Sequence, residues 1–182
     1  GIRDVLGSRG LGDVYRDRSY FVSGPRHIQN ASTSKTAGAD SLAVTGHIEA
    51  YIKKLQPVFL ESMLGEKEAG YAMDYLDMSD DEGNEDTEPS KYEIVCNKLK
   101  EPFADYVLFH ILRDSSSEAT ITGNVRLKCA NEYISPVNAQ VIAWNRMVSA
   151  NVKFIQWARD GNCPIDLVTQ TNMLIKINQF NL

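Results

Sequence analysis

The sequence predicts a mainly α protein: a helical bundle with a long C-terminal amphipathic helix, one small β-hairpin, an extended N-terminal arm and a C-terminal tail. Two observations carry this. Tyr92, Val95, Cys96, Leu99, Phe103, Tyr106 and His110 fall on one side of a helix at about 100° per residue, and Val137, Val141, Trp144, Val148, Val152 and Ile155 repeat the pattern. Each stretch also has a start signal. Ser90 followed by Glu93 reads as a capping box, and Ser135-Pro136 sets a capping hydroxyl before a proline at the first helical position. Neither apolar face can stay in water, so the two helices are expected to pack on each other.

Residues 1–40 read as an extended or partner-ordered arm. Gly1, Gly7, Gly10, Gly12, Gly24 and Gly38 are scattered among Ser, Asn, Thr and Arg, the run 30–38 has no apolar periodicity, and such a stretch buries too little surface to offset its own ordering entropy. Arg16, Arg18, Tyr20, Phe21 and Arg26 are the side chains in it suited to docking on a partner. Gly7, Gly10 and Gly12 form neither a dinucleotide nor a phosphate loop: no strand precedes them and no Gly-Lys-Ser/Thr follows.

The helical domain is expected over 41–160. Its first helix runs from His47 to Leu64, with Ile48, Tyr51, Ile52, Leu55, Phe59 and Met63 on one face. Pro57 either kinks it or splits it in two, and Gly65 ends it with a left-handed residue. A short helix follows over Glu66–Leu76, turning Ala69, Ala72, Met73 and Leu76 inward. An acidic loop at 74–90 comes next: Asp74, Asp77, Asp80, Asp81, Glu82, Glu85, Asp86 and Glu88, with no base among them. Its spacing lacks the central Gly and final Glu of a calcium loop, so it reads as a solvated loop. Pro102 interrupts the 90–113 pattern as Pro57 does the earlier one, and His110 reads as a core histidine. Over 119–128, β-formers flank Gly123-Asn124, a two-residue hairpin turn signal.

The last long helix has a second line, opposite its core stripe: Ile142, Arg146, Ala150, Lys153 and Trp157. Apolar side chains mixed with bases suggest a face sandwiched in the monomer or offered to another subunit, and the subunit interface is the preferred reading. Residues 161–182 form a tail in which Met173, Ile175 and Ile177 alternate as in a short strand.

Composition narrows the function classes. The net charge of −5 is concentrated in the acidic loop; without its eight acids, 16 acids face 19 bases. The body is therefore mildly basic, with no block of bases for sequence-independent binding to phosphate backbones. Cys96, Cys129 and Cys163 lie too far apart for a CxxC metal site and are odd in number, so they read as reduced thiols in a reducing compartment. No apolar run approaches the roughly 20 residues of a membrane span, and nothing resembles a signal peptide. His27, His47 and His110 sit on separate segments, and no G-x-S-x-G, HExxH or Walker signature occurs. No catalytic residue, cofactor or metal is expected, and the chain reads as a non-enzyme.

Three stretches taken together resemble a known family: Ala50-Tyr-Ile-Lys-Lys-Leu-Gln-Pro-Val-Phe-Leu-Glu-Ser-Met-Leu-Gly65, Pro102-Phe-Ala-Asp-Tyr-Val-Leu-Phe-His-Ile-Leu-Arg-Asp114, and Ile134-Ser-Pro136 through Ala143-Trp-Asn-Arg-Met-Val148. Over about residues 47–158 the chain is similar to the head-tail connector (neck adaptor) proteins of tailed bacteriophages, of the Bacteroidetes phage and prophage type. The resemblance implies a helical virion subunit in a homo-oligomeric ring of twelve copies. That ring would sit in the neck between capsid and tail, after assembly in the host cytoplasm. Its partners would be the portal protein and tail or other neck proteins, with DNA passing through the channel without sequence-specific binding. The Gly/Arg-rich arm and the acidic loop depart from that compact pattern. The competing expectation is a helical DNA-binding regulator, or another oligomeric helical binding protein; Asn145, Arg146, Lys153 and Arg159 are a thin supply for a recognition helix.

Overall fold

The computed structural model describes residues 18–32, 34, 38–78, 90–115, 117–120, 123–126 and 136–180, with the backbone alone at Arg18, Met78, 117–120, 123–126 and Pro136. The chain is mainly helical: α1 (Ala39–Leu64), α2 (Glu66–Met78), α3 (Lys91–Ser115) and α4 (Pro136–Trp157). Short turns flank them at Arg18–Phe21, Gly24–Arg26, Ala158–Asn162 and Thr171–Leu174.

α3 is the axis. From Pro102 to Phe109 every residue is buried, because α1, α2 and α4 cover it from different sides. The expected stripe of Tyr92, Val95, Cys96, Leu99, Phe103, Tyr106 and His110 is buried or half-buried throughout. Phe59 of α1 inserts between Phe103 and Tyr106, with ring centroids 5.3 Å from each. Leu60, Met63 and Leu64 of α1, Leu99 and Val107 of α3, and Met147 and Val148 of α4 complete the centre of the core.

Several expectations are corrected. α1 starts at Ala39, eight residues before His47, and runs unbroken through Pro57; α3 likewise runs through Pro102. Pro57 lies on the exposed side of α1, where the carbonyl that loses its partner faces water. Asp74 and Asp77 belong to α2 rather than to a loop, while 79–89 lie outside the described residues. Gly65 does take a positive φ (84°), and its N–H bonds the Glu61 carbonyl at 2.9 Å. Ser117–Thr120 and Gly123–Arg126 pair antiparallel, with Thr120 opposite Gly123 and Ala119 opposite Asn124. Gly123 and Asn124 are thus in the ladder, not at its turn.

α4 is rotated from its expected stripe. Gln140, Ala143, Met147, Asn151 and Phe154 are buried, whereas Val152 is 50% exposed. The tail explains this. Its described residues form no strand; they run along the flank of α4, where Trp144 donates to Ile175 O while its ring packs on Phe109 and Tyr106 of α3, so that flank is covered by the tail as well as by α3.

Candidate interaction surface

Two constructions join the ends of the chain to its body. The first is built on Asp105, a carboxylate 1% exposed in the middle of α3. Arg26 grips it with both forks: Nε donates to Oδ1 at 2.8 Å and Nη2 to Oδ2 at 3.0 Å. Arg146 of α4 donates Nε to Oδ1 at 2.7 Å, and its Nη2 also contacts that oxygen. Glu101, one helical turn before Asp105, takes Nη2 of Arg26 at 3.4 Å. Burial disfavours the charge on Arg26, but the hydrogen bond and field of Asp105 outweigh that and hold its pKa above the ordinary value. One anion thereby ties the N-terminal segment, α3 and α4 together.

This placement corrects the reading of 1–40 for the part the structure describes. Residues 18–32 are docked on their own body: Phe21 is 1% exposed in the core and Arg26 is buried. Tyr20 is half-buried beneath the Arg26 guanidinium, 5.6 Å from its ring. Ser32 and Thr45, and Ser41 and Asn30, are hydrogen-bonded where the segment meets α1. Phe21 and Arg26 are therefore engaged within the chain. Arg16 and the side chain of Arg18 lie outside the described residues.

The second construction holds the tail. Val168 N–H and Gln170 N–H donate to the carbonyls of Leu64 (3.3 Å) and Ser62 (2.8 Å), and Thr169 Oγ1 donates to that of Met63 (2.7 Å). These are carbonyls that the end of α1 leaves without intrahelical partners. Gly65 is required here, since a Cβ on it would stand 3.0 Å from Val168 Cβ. The tail then descends α4 against its direction. Asn151 Nδ2 donates to Met173 O (2.9 Å) and Trp144 Nε1 to Ile175 O (2.9 Å). Asn145 closes on Ile177 from both sides, donating to its carbonyl and accepting from its N–H at 2.8 Å each. Asn138 accepts from the Gln179 side chain.

Thirteen residues of helix from Asn138 to Asn151 rise about 20 Å, and the tail follows that run from Met173 to Gln179 through the end of a 3-10 turn and the extended residues 175–178. Met173, 2% exposed, is the anchor. Sequence reasoning missed this groove. The readable signal was three asparagines, poor helix formers, six and seven residues apart in one helix.

The expected interface line divides. Ile142 is 59% exposed and Lys153 is exposed. Ala150 is half-buried. Arg146 turns inward to Asp105, because a buried carboxylate needs a cation more than a surface does. Trp157 is half-buried against Phe154 (5.6 Å), with Lys98 Nζ 4.7 Å over its ring. Only Ile142 and Lys153 of the five stand clear of the body.

His110 also differs from a satisfied core histidine. It is half-buried with its ring edge-on to Tyr106 at 4.5 Å, and its Nε2 has no partner among the described residues. Burial first, then the charges of Arg113 and Lys54, push its pKa down to about 4 against the counter-pull of Asp114. Because the unfolded chain takes up that proton near pH 6.5, folding stability is fully present above that pH and falls as pH drops toward 4. His110→Phe is expected to flatten this part of the stability curve; urea midpoints measured between pH 7 and 4 check it.

Among the described residues there is no group of three side chains placed to hold a metal ion, and no helix long and apolar enough to cross a membrane. No protein-family model matches the chain, and neither a curated protein nor a solved structure does.

Proposed function

We propose that the chain is a non-enzymatic structural subunit that assembles with copies of itself and, following its resemblance, forms the ring between portal and tail in the neck of a tailed bacteriophage. The observation that carries this reading is where the chain spends its polar chemistry. The buried carboxylate, both arginines on it, and the asparagines of α4 are all used to fasten extended segments to a helical body. Fastening of that kind suits a rigid part with docking ends, and segments of low intrinsic structure are suited to ordering on partners. The exposed apolar side chains Ile142, Val152, Val168, Ile175 and Phe180 lie on α4 and on the tail beside it, which gives a neighbour something to bury.

The mass of the purified chain, alone and mixed with portal protein, is the test. A ring or a portal-bound complex is expected; a strict monomer that ignores portal sinks the reading. Ile142→Asp sharpens it. At 59% exposure the change is expected to move stability by no more than about 0.5 kcal/mol, while lowering the assembled fraction severalfold. Helical content by circular dichroism and mass in solution separate the two effects.

A further inference from the structure

We propose that the groove along α4 is a segment-exchange site, filled in the assembled protein by residues 165–180 of a neighbouring copy. The inference rests on the self-assembly proposed above and names the surface that performs it.

The grip on the tail transfers unchanged between copies. Trp144, Asn145 and Asn151 bind its main chain at Ile175, Ile177 and Met173, and one side chain, Met173, fills the core. The tail has little structure of its own to lose on moving. Its local structure is a single 3-10 turn at Thr171–Leu174 and a turn at 179–180, and the rest takes its shape from α4 and the end of α1. Relocation therefore exchanges identical contacts, which is why swapping of a terminal segment is an inexpensive route to association.

The connection permits it. From Ala158 to Asn172 no residue is fully buried, and the turn at Ala158–Asn162 contains Gly161 at φ 79° with Pro164 soon after. Redirecting those backbone angles moves no fully buried side chain and costs only the partial packing of Cys163 against the core. Seven extended residues from Ala158 to Pro164 reach about 23 Å, the order of a helix-bundle width.

The outer side of the tail supplies the direction of the effect. Val168 is 70% exposed, Ile175 55% and Phe180 94%. In a lone subunit these three side chains face water from a segment covered on one side only. A tail lying between the α4 of one copy and the body of the next has both sides covered. Repeated head-to-tail, each copy giving its tail to the next, the contact is heterologous and closes into a ring when the rotation allows.

The experiment uses the full chain with Cys96→Ala, Cys129→Ser and Cys163→Ser, carrying the pair Asn138→Cys and Gln179→Cys at two side chains that touch on the surface of the groove. The assembled protein is treated with a short bismaleimide and run on a denaturing gel beside a measurement of its native mass. The pair Asn145→Cys and Ile177→Cys is a second reporter of the same juxtaposition. Exchange predicts covalent species of two or more chains from both pairs, with the single-chain band largely lost. An assembled protein whose links stay within single chains overturns the exchange and leaves the assembly reading standing. An assembled protein that links with neither pair also overturns it, since the tail then lies elsewhere. A monomer at every concentration removes both proposals.

Discussion

Asp105→Ala is expected to destabilise the protein by about 3–5 kcal/mol, the loss seen when one partner of a buried ion pair is removed. The reason is what the substitution leaves behind. Arg26, with its side chain 10% exposed, keeps only Glu101, which is 70% exposed and screened by water. Arg146, 29% exposed at its side chain, loses the carboxylate altogether. Two cations are then left without their shared carboxylate beside the middle of α3. Arg26→Met is the informative partner: it keeps the aliphatic stem and leaves Asp105 paired with Arg146, so about 2 kcal/mol is expected, the worth of a hydrogen bond to a charged group. Pairing Asp105→Ala with Arg146→Ala should cost less than the two single losses added, because the double change removes the orphaned charge with its cause. Urea unfolding with unchanged slope is the measurement; a loss under about 1 kcal/mol for Asp105→Ala would mean that water reaches the site and that the junction holds nothing.

That junction marks the boundary of what was legible. The α3 stripe from Tyr92 to His110 could be read because seven apolar or aromatic positions keep one helical phase behind a start signal. The mainly helical class followed from that. Arg26 and Asp105 are 79 positions apart, and nothing local to either one points to the other. The Gly and Ser residues around Phe21 and Arg26 suggested an extended or partner-ordered arm. Composition is an average, however, and two well-placed side chains dock residues 18–32 regardless.

The phase of α4 failed for a related reason. Trp144 of its most apolar arc is shared between α3 and the tail, while the buried residues include Gln140, which bonds Leu112 of α3, and Asn151, which bonds Met173 of the tail. Periodicity locates the centre of everything buried; it cannot divide that surface between two partners. The tail itself gave no help, since only Met173 among its residues is fully buried. The hairpin turn went wrong by a shift of register: Gly123-Asn124 is a good turn dipeptide, but in the observed pairing it stands within the ladder.

Met173→Ala is expected to cost about 3 kcal/mol, within the range for cutting a buried methionine to alanine. For a chain of this size that lowers Tm by about 10 °C. Met173 is the one tail residue seated in the core, and the bonds around it depend on that seat. Asn151, 0% exposed, donates to the Met173 carbonyl, so undocking takes that hydrogen bond from it. Thermal unfolding followed by circular dichroism, beside Val168→Asp as a control on the outer side, checks this; the control should leave the Tm of the unassembled chain nearly unchanged, because Val168 is 70% exposed. Met173→Asp carries the argument further. A charge cannot enter that socket, so this variant should behave like a chain cut after Asn162, with the end of α1 uncapped and the flank of α4 wet. If Met173→Asp is clearly milder than the truncation, the caps made by residues 168–170 hold without the anchor and the tail is two independent pieces. If the two losses coincide, the tail docks as one unit, and whichever copy seats Met173 also holds the rest of the tail.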